Sequence, residues 1–109
     1  MEVIPPAGLD DAAWPVYTVG QVAQLLGVQP AFLRRLDTQE VVQPTRSQGG
    51  QRRYSRTEID RIQQVTSLVG EGFTLPAIRR VLELQSEVTE LRRQLAAERA
   101  RSRTRGDRP

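Results

Sequence analysis

The densest group of residues suited to chemistry lies between Ser47 and Ser55, which read Ser-Gln-Gly-Gly-Gln-Arg-Arg-Tyr-Ser. The two adjacent glycines predict a loop tip without side-chain bulk, and two arginines follow at once. Guanidinium groups form paired hydrogen bonds with phosphates and with guanine edges. Because residues 46–56 contain four arginines and no acid, the pattern indicates a loop that enters a groove lined with phosphates. The contact candidates in this loop are Arg46, Gly50, Gln51, Arg52, Arg53 and Tyr54.

Two of these side chains have a second interpretation. Arg53 could instead turn inward and support the loop. Tyr54 could offer its hydroxyl to a phosphate, or it could simply pack against the core. The residues alone leave both alternatives open.

Two short helices are predicted before this loop. Thr18 is a suitable N-cap, an apolar stripe follows at helical spacing, and Gly27 supplies a left-handed exit. Pro30 suits the first turn of the second helix. Free backbone N–H groups at Thr18 and Val19 would favour an anion. The outer face of the second helix carries the candidates for base and phosphate contacts, which are Ala31, Arg34, Arg35 and Thr38.

The loop and the later helices follow from local signals. Valines at 41–42 predict a short strand paired with residues 52–54, and the loop between them would be a hairpin wing. Ser55 and Glu58 form a Ser-x-x-Glu capping box that begins a third helix. Thr74 is the predicted cap of a fourth helix. A helix-turn-helix followed by a wing points to DNA.

An apolar seam with 3-4 spacing continues along the fourth helix. It corresponds to positions a and d of about two heptads, and the face opposite to it is polar. These features favour dimerisation, although the same residues could fold back onto their own domain. The seam residues are Val81, Leu84, Val88, Leu91 and Leu95.

Composition excludes several classes of function. The chain has 109 residues, a net charge of +3, and no Cys or His, so disulfides and thiolate or imidazole metal sites are excluded. All 16 basic residues are arginine, a choice that suits phosphates but could equally reflect a GC-rich genome. No apolar run approaches the ~20 residues of a membrane span, and no nucleophile has a base beside it. We expect a cytoplasmic, nucleoid-associated protein that is not an enzyme, contacts no membrane and has no cofactor.

Five motifs follow one another along the chain. They are Tyr17–Pro30, Leu33-Arg34 followed by Asp37, Val42–Pro44, Gly50–Ser55 and Gly72–Leu75. Taken together, they resemble the MerR family of bacterial transcription regulators over about residues 16–95. They occur in the family's order, which makes the resemblance specific. The sequence departs from the family's usual aromatic residues at Arg35-Leu36 and at Gln51.

The resemblance implies a winged helix-turn-helix that binds a palindromic operator as an antiparallel coiled-coil homodimer. It also implies that the second helix enters the major groove and that the wing lies along the backbone and minor groove. The layout is similar to the short heat-shock-repressor (HspR) branch of the family. We therefore expect no effector-binding domain, and RNA polymerase or a chaperone is a candidate further partner.

The predicted fold is mostly α-helical, a winged helix-turn-helix with a small β-hairpin wing followed by a C-terminal coiled-coil dimerisation helix. The predicted function is a sequence-specific transcription regulator that binds an inverted repeat of double-stranded DNA. Two alternatives remain, an excisionase-like protein that bends DNA and an adaptor that binds a sigma factor or chaperone. The predicted segments are an acidic, proline-rich flexible arm (1–15), the DNA-binding domain (16–84), the dimerisation helix (85–100, with the seam beginning near 81) and a basic disordered tail (101–109).

Overall fold

The computed structural model describes residues 11–106, which form four helices and three short strands. The chain divides after Ile78 into a compact first unit and a second unit that contains the rest of the last helix. The predicted mostly helical fold with a small wing is confirmed. In chain order the elements are β1 (Tyr17–Thr18), α1 (Val19–Leu26), α2 (Pro30–Thr38), β2 (Thr45–Arg46), β3 (Arg52–Tyr54), α3 (Arg56–Gly70) and α4 (Leu75–Gly106).

Helix α1 begins and ends as the sequence predicts. The Thr18 hydroxyl accepts a hydrogen bond from the Gln21 N–H at 3.1 Å, and the Gln21 side chain accepts one from the Thr18 N–H at 2.8 Å. This reciprocal pair satisfies two donors at the helix start. Gly27 has a φ of 66° and ends the helix, a conformation that costs glycine little because it has no Cβ.

A three-stranded antiparallel sheet holds the wing against the helices, with the strand order β1-β3-β2. The predicted strand at Val41 and Val42 is wrong, because the wing strand lies further on, at Thr45–Arg46. The N–H groups of the two valines donate instead to the Leu36 carbonyl, at 2.8 and 3.3 Å. Both side chains are buried, so their apolar character serves the turn after α2.

The core of the first unit lies between α1, α2, α3 and the start of α4. Both predicted caps are present. The Ser55 hydroxyl accepts from the Glu58 N–H at 3.1 Å, and the Thr74 hydroxyl accepts from the Ala77 N–H at 3.3 Å. These caps set where α3 and α4 begin, and thereby which side chains reach the core. The largest fully buried side chains are Val22, Leu33, Leu36, Tyr54, Ile62, Val65 and Ile78.

The N-terminal part of the described chain is bonded to α3. The carbonyl of Ala12 accepts hydrogen bonds from the N–H and the hydroxyl of Thr57, at 3.1 and 3.2 Å. Residues 11–15 belong to the segment that we predicted to be a flexible arm, so its last part is in contact with the folded unit. The first ten residues of that arm lie outside the described residues.

Helix α4 is longer than predicted. It runs without interruption to Gly106, so residues 101–106, which we expected to be disordered, are helical. Arginine is a good helix former, and no glycine or proline occurs between Pro76, in the first turn, and Gly106. The last three residues of the predicted tail lie outside the described residues. Within the part of the chain that the structure describes, no helix is long and apolar enough to cross a membrane.

Candidate nucleic-acid interface

Helix α2 presents a basic outer face. Leu33 and Leu36 are each 1% exposed and anchor the helix to the core. Among residues 11–106, the guanidinium groups of Arg34 and Arg35 have no hydrogen-bond or ion-pair partner, so both are available to an external anion. The structure places every predicted contact residue of this helix on the exposed face, namely Ala31, Arg34, Arg35 and Thr38.

A single carboxylate on α2 binds two arginines of the wing. Asp37 Oδ2 accepts from Arg52 Nε at 2.7 Å and from Arg46 Nη2 at 2.9 Å. The side chains of Asp37 and Arg52 are 12% and 20% exposed, whereas that of Arg46 is 50% exposed. The carboxylate is partly shielded from water, which strengthens its attraction for the two cations. The wing is therefore tied to α2 through both of its strands.

The tip of the wing is closed by its own hydrogen bonds. The Ser47 N–H donates to the Gln51 carbonyl at 2.7 Å, and the Gly50 N–H donates to the Ser47 carbonyl at 2.9 Å. Gly50 has a φ of 81°, a conformation that favours glycine. Arg46 Nη1 donates to the Gly50 carbonyl at 3.3 Å. Gly50 and Gln51 are exposed, so the predicted contact residues of the tip lie on a preformed turn.

The last two residues of β3 differ from the prediction for the wing. The half-buried Arg53 has no side-chain partner in the described part of the chain, and it is Arg52 that is bonded inward. Tyr54 is 1% exposed, so a phosphate contact through its hydroxyl is wrong for this conformation, and the packing alternative holds. Burial raises the pKa of the Tyr54 phenol, and the neighbouring Arg52 cation opposes that rise. Within residues 11–106 the buried hydroxyl has no hydrogen-bond partner.

The start of α1 offers backbone donors. The Thr18 hydroxyl is occupied by the Gln21 N–H, so this side chain serves the cap. The N–H groups of Val19 and Gly20 occupy the first two helical positions, where no carbonyl of the same helix is available to them. The Thr18 N–H donates to the Gln21 side chain, so the predicted free N–H at Thr18 is wrong, and an anion contact at Val19 stays a prediction.

The predicted seam on α4 is uncovered within the second unit. Leu84, Val88, Leu91 and Leu95 are 42–62% exposed, and Val81 is half-buried. Local ion pairs lie along the rest of the helix, among them Arg80 with Glu83, Arg93 with Glu90 and Arg101 with Glu98. Hydrogen bonds from Arg93, and to a lesser extent from Gln94, hold the pKa of the exposed Glu90 below its usual value.

Sequence reasoning missed the role of Asp37. It recognised this residue only as part of a family motif and assigned no contact to it. A signal was present, because Asp37 and Glu40 are the only acids between Arg34 and Arg56. An acid on the helix that precedes an arginine-rich hairpin is a candidate partner for those arginines. Which arginines it binds depends on the register of the strands, which the sequence does not specify.

Comparison with known proteins identifies the family. The model of the MerR HTH regulatory proteins matches residues 17–85. The chain belongs to the MerR family. It is 41% identical over 83 residues to the heat shock protein HspR of Streptomyces coelicolor, covering 75% of this chain and 55% of the relative. It thus spans about half the length of that protein. The predicted likeness to HspR is confirmed.

Solved structures of the family share the fold. The N-terminal part of MtaN, the multidrug transporter activator of Bacillus subtilis, is 27% identical, with a TM-score of 0.56 over 83% of this chain and 96% of that one. HiNmlR, a MerR family regulator lacking the sensor domain and solved bound to promoter DNA, is 19% identical, with a TM-score of 0.58 over 78% of this chain and 86% of that one. At that identity the likeness to HiNmlR concerns the fold alone. No cluster of acids that could hold a metal occurs in the described residues.

Proposed function

We propose that this chain binds a specific double-stranded DNA sequence as a transcription regulator, and that it does so as a homodimer on an inverted repeat. The observation that carries the proposal is the exposed face of α2. The guanidinium groups of Arg34 and Arg35 have no partner in the described chain. Asp37, on the same helix, binds two arginines of the wing. A reading helix and a phosphate-binding wing are thus parts of one unit.

Helix α2 has dimensions that suit the major groove. With its side chains an α-helix is about 10–12 Å across, and the major groove of B-DNA is about 12 Å wide. Arg34 and Arg35 project about 100° apart around the helix axis, so one can reach base edges while the other binds phosphate. We assign base contact to Arg34, with Ala31 and Thr38 beside it on the exposed face.

The wing and α1 supply phosphate contacts in this proposal. The wing contributes Arg46, Arg52, Arg53 and the exposed tip, and α1 contributes the N–H groups of Val19 and Gly20. Phosphate contacts fix the position of a protein on DNA without selecting its sequence. Tyr54 supports the wing from within the core and makes no contact with DNA.

The exposed seam of α4 supports dimerisation. An apolar stripe of four residues on an otherwise polar helix loses its contact with water when a second copy covers it. We propose an antiparallel pairing, as the family resemblance implies. A dimer presents two copies of α2, and a twofold protein matches a DNA site of inverted symmetry.

The named relatives favour regulation over the two alternatives. HspR and MtaN are described as a heat shock protein and a multidrug transporter activator, and neither as a recombination protein or an adaptor. We propose a cytoplasmic location on the chromosome. RNA polymerase and a chaperone remain candidate partners.

Substitution of Arg34 tests the reading role. A duplex that the protein selects from a random pool serves as the operator, and a scrambled duplex as the competitor. A bidentate contact with guanine contributes ~1–3 kcal/mol of discrimination, and a dimer has two copies of Arg34. Arg34→Ala should therefore weaken operator binding by at least about thirtyfold, and random binding much less. Arg34→Lys should restore little, since lysine cannot form the paired contact. Competition fluorescence anisotropy measures both affinities.

Arg61→Ala is the matched control, because Arg61 is an exposed arginine of α3 and the substitution removes the same charge. It should leave the ratio of the two affinities unchanged. If Arg34→Ala weakens both duplexes equally, Arg34 binds phosphate and the assignment of base contact to it is wrong.

A further inference from the structure

Asp37 is an acidic residue on a surface proposed to bind a polyanion. We propose that Asp37 is a positioning residue, which orients Arg52 so that the terminal nitrogens of its guanidinium group bind a DNA phosphate. This inference rests on the proposed function, and it identifies the contact between Asp37 and Arg52 as the one that preorganises the wing for phosphate binding.

The geometry of Arg52 carries the proposal. Asp37 Oδ2 accepts from Nε, the nitrogen nearest the side-chain stem, at 2.7 Å. Both terminal nitrogens, Nη1 and Nη2, have no partner among residues 11–106. The side chain is only 20% exposed, so its stem has little freedom to move. An arginine that is held at Nε retains a free pair of donors, which match two phosphate oxygens.

Arg46 has a different role at the same carboxylate. Its Nη2 donates to Asp37 Oδ2 at 2.9 Å and its Nη1 donates to the Gly50 carbonyl at 3.3 Å. Each terminal nitrogen thus donates one of its two N–H groups within the protein, and Arg46 links α2 to the tip of the wing. Asp37 therefore fixes the tip through Arg46 and presents phosphate donors through Arg52.

Because Asp37 is charged, the proposal can be tested by whether DNA affinity falls or rises when Asp37 is neutralised. If only net charge mattered, neutralising an acid would strengthen binding to DNA and steepen its dependence on salt. If Asp37 positions Arg52, neutralising it frees the side chain, and binding weakens even though the protein becomes more positive. A purely electrostatic role and a positioning role therefore predict opposite results.

The experiment compares Asp37→Asn with the wild type on the selected duplex and on random DNA, by anisotropy over a series of salt concentrations. Asn keeps the shape of Asp and removes the charge. We expect about tenfold weaker binding to both duplexes per copy of the chain, the order expected for losing a hydrogen bond to a charged group, and so about a hundredfold per dimer. The slope of log affinity against log salt should become shallower by up to about two units per dimer. Asp60→Asn, an equal charge change at an exposed position on α3, should bind as the wild type does or slightly tighter.

Two further variants separate positioning from a loss of folding. Arg52→Ala should cost much less in the Asp37→Asn background than in the wild type, because the two residues act as one unit. Arg52→Lys keeps the charge but cannot bind the carboxylate and a phosphate in the same way, so it should bind about as weakly as Arg52→Ala. Circular dichroism identifies the variants that are folded at the assay temperature. If Asp37→Asn is unfolded, the affinity of Arg52→Lys alone tests whether Arg52 must be positioned by Asp37.

The inference is overturned if folded Asp37→Asn binds as tightly as the wild type or tighter. Wild-type affinity in Arg52→Lys would overturn it as well. A wild type that selects no sequence from the random pool would instead contradict the proposed function. The two failures are therefore distinguishable.

Discussion

Adjacent residues in the wing have different tasks. Arg52 donates to Asp37, Arg53 has no side-chain partner in the described chain, and Tyr54 is buried. Side chains alternate between the two faces of a strand, which explains why neighbours face different surroundings. The sequence identified all three residues as candidates, but it could not assign the inward role among them. That assignment needs the position of Asp37 relative to β3, which is a tertiary feature.

Tyr54→Phe tests the packing role at the residue scale. The buried hydroxyl has no hydrogen-bond partner in the described chain, so removing it should leave the free energy of unfolding unchanged or raise it by about 1 kcal/mol. DNA binding should remain at the wild-type level. Urea unfolding and anisotropy measure the two quantities. A loss of affinity comparable to that of Arg52→Ala would show that the hydroxyl reaches the DNA after all.

The difference in unfolding free energy between the wild type and Tyr54→Phe should depend on pH. Because burial raises the pKa of Tyr54 in the folded state, the unfolded chain loses this proton first as the pH rises. The stabilisation associated with the neutral phenol is therefore present below the ordinary tyrosine pKa of 10.0 and is lost above it. The stability advantage of Tyr54→Phe over the wild type should consequently grow above that pH.

At the scale of elements, the starts of the helices were predictable and the first strand of the wing was not. Capping boxes at Thr18 and Ser55 are local signals, and the structure contains both. The valines at 41–42 favour a strand by propensity, yet their N–H groups donate to the Leu36 carbonyl. Strand propensity reflects how well a side chain fits a half-buried apolar surface. The turn after α2 also provides such a surface for the two valines. Local hydrogen bonds at the end of α2, together with burial of the two side chains, therefore favour the turn over a strand.

The apolar seam of α4 leads to a prediction about dimerisation. Leu91 lies within the exposed seam and is 62% exposed, so Leu91→Lys should cost a folded single chain little. In a dimer it would bury a charge between the helices, which costs several kcal/mol unless they separate. Sedimentation equilibrium at micromolar concentration should show a dimer for the wild type and a monomer for the variant.

Ser86→Lys is the control for this substitution. Ser86 lies on the polar side of α4, away from the seam, and it should remain a dimer. A wild type that sediments as a monomer would contradict the dimer hypothesis. So would a Leu91→Lys variant that stays dimeric.

At the scale of the whole molecule, the proposed function needs both units. The first contains α2, the proposed reading helix, and the wing, and the second contains the seam. The order of the motifs predicted both units from the sequence, because each motif is local. The uninterrupted extension of α4 to Gly106 was missed, because a run of arginines was interpreted as a solvated tail although arginine favours helix.

Selection from a random pool of duplexes, followed by measurement of the mass of the selected complex, tests the central claim most directly. The full chain is incubated with the pool, and the bound DNA is sequenced. Native mass spectrometry then measures the mass of the complex with an enriched duplex. We predict enrichment of an inverted repeat that is bound by two copies of the chain, because two copies of α2 read two half-sites. Enrichment of a site without inverted symmetry that is bound by one copy, or no enrichment at all, would contradict the claim.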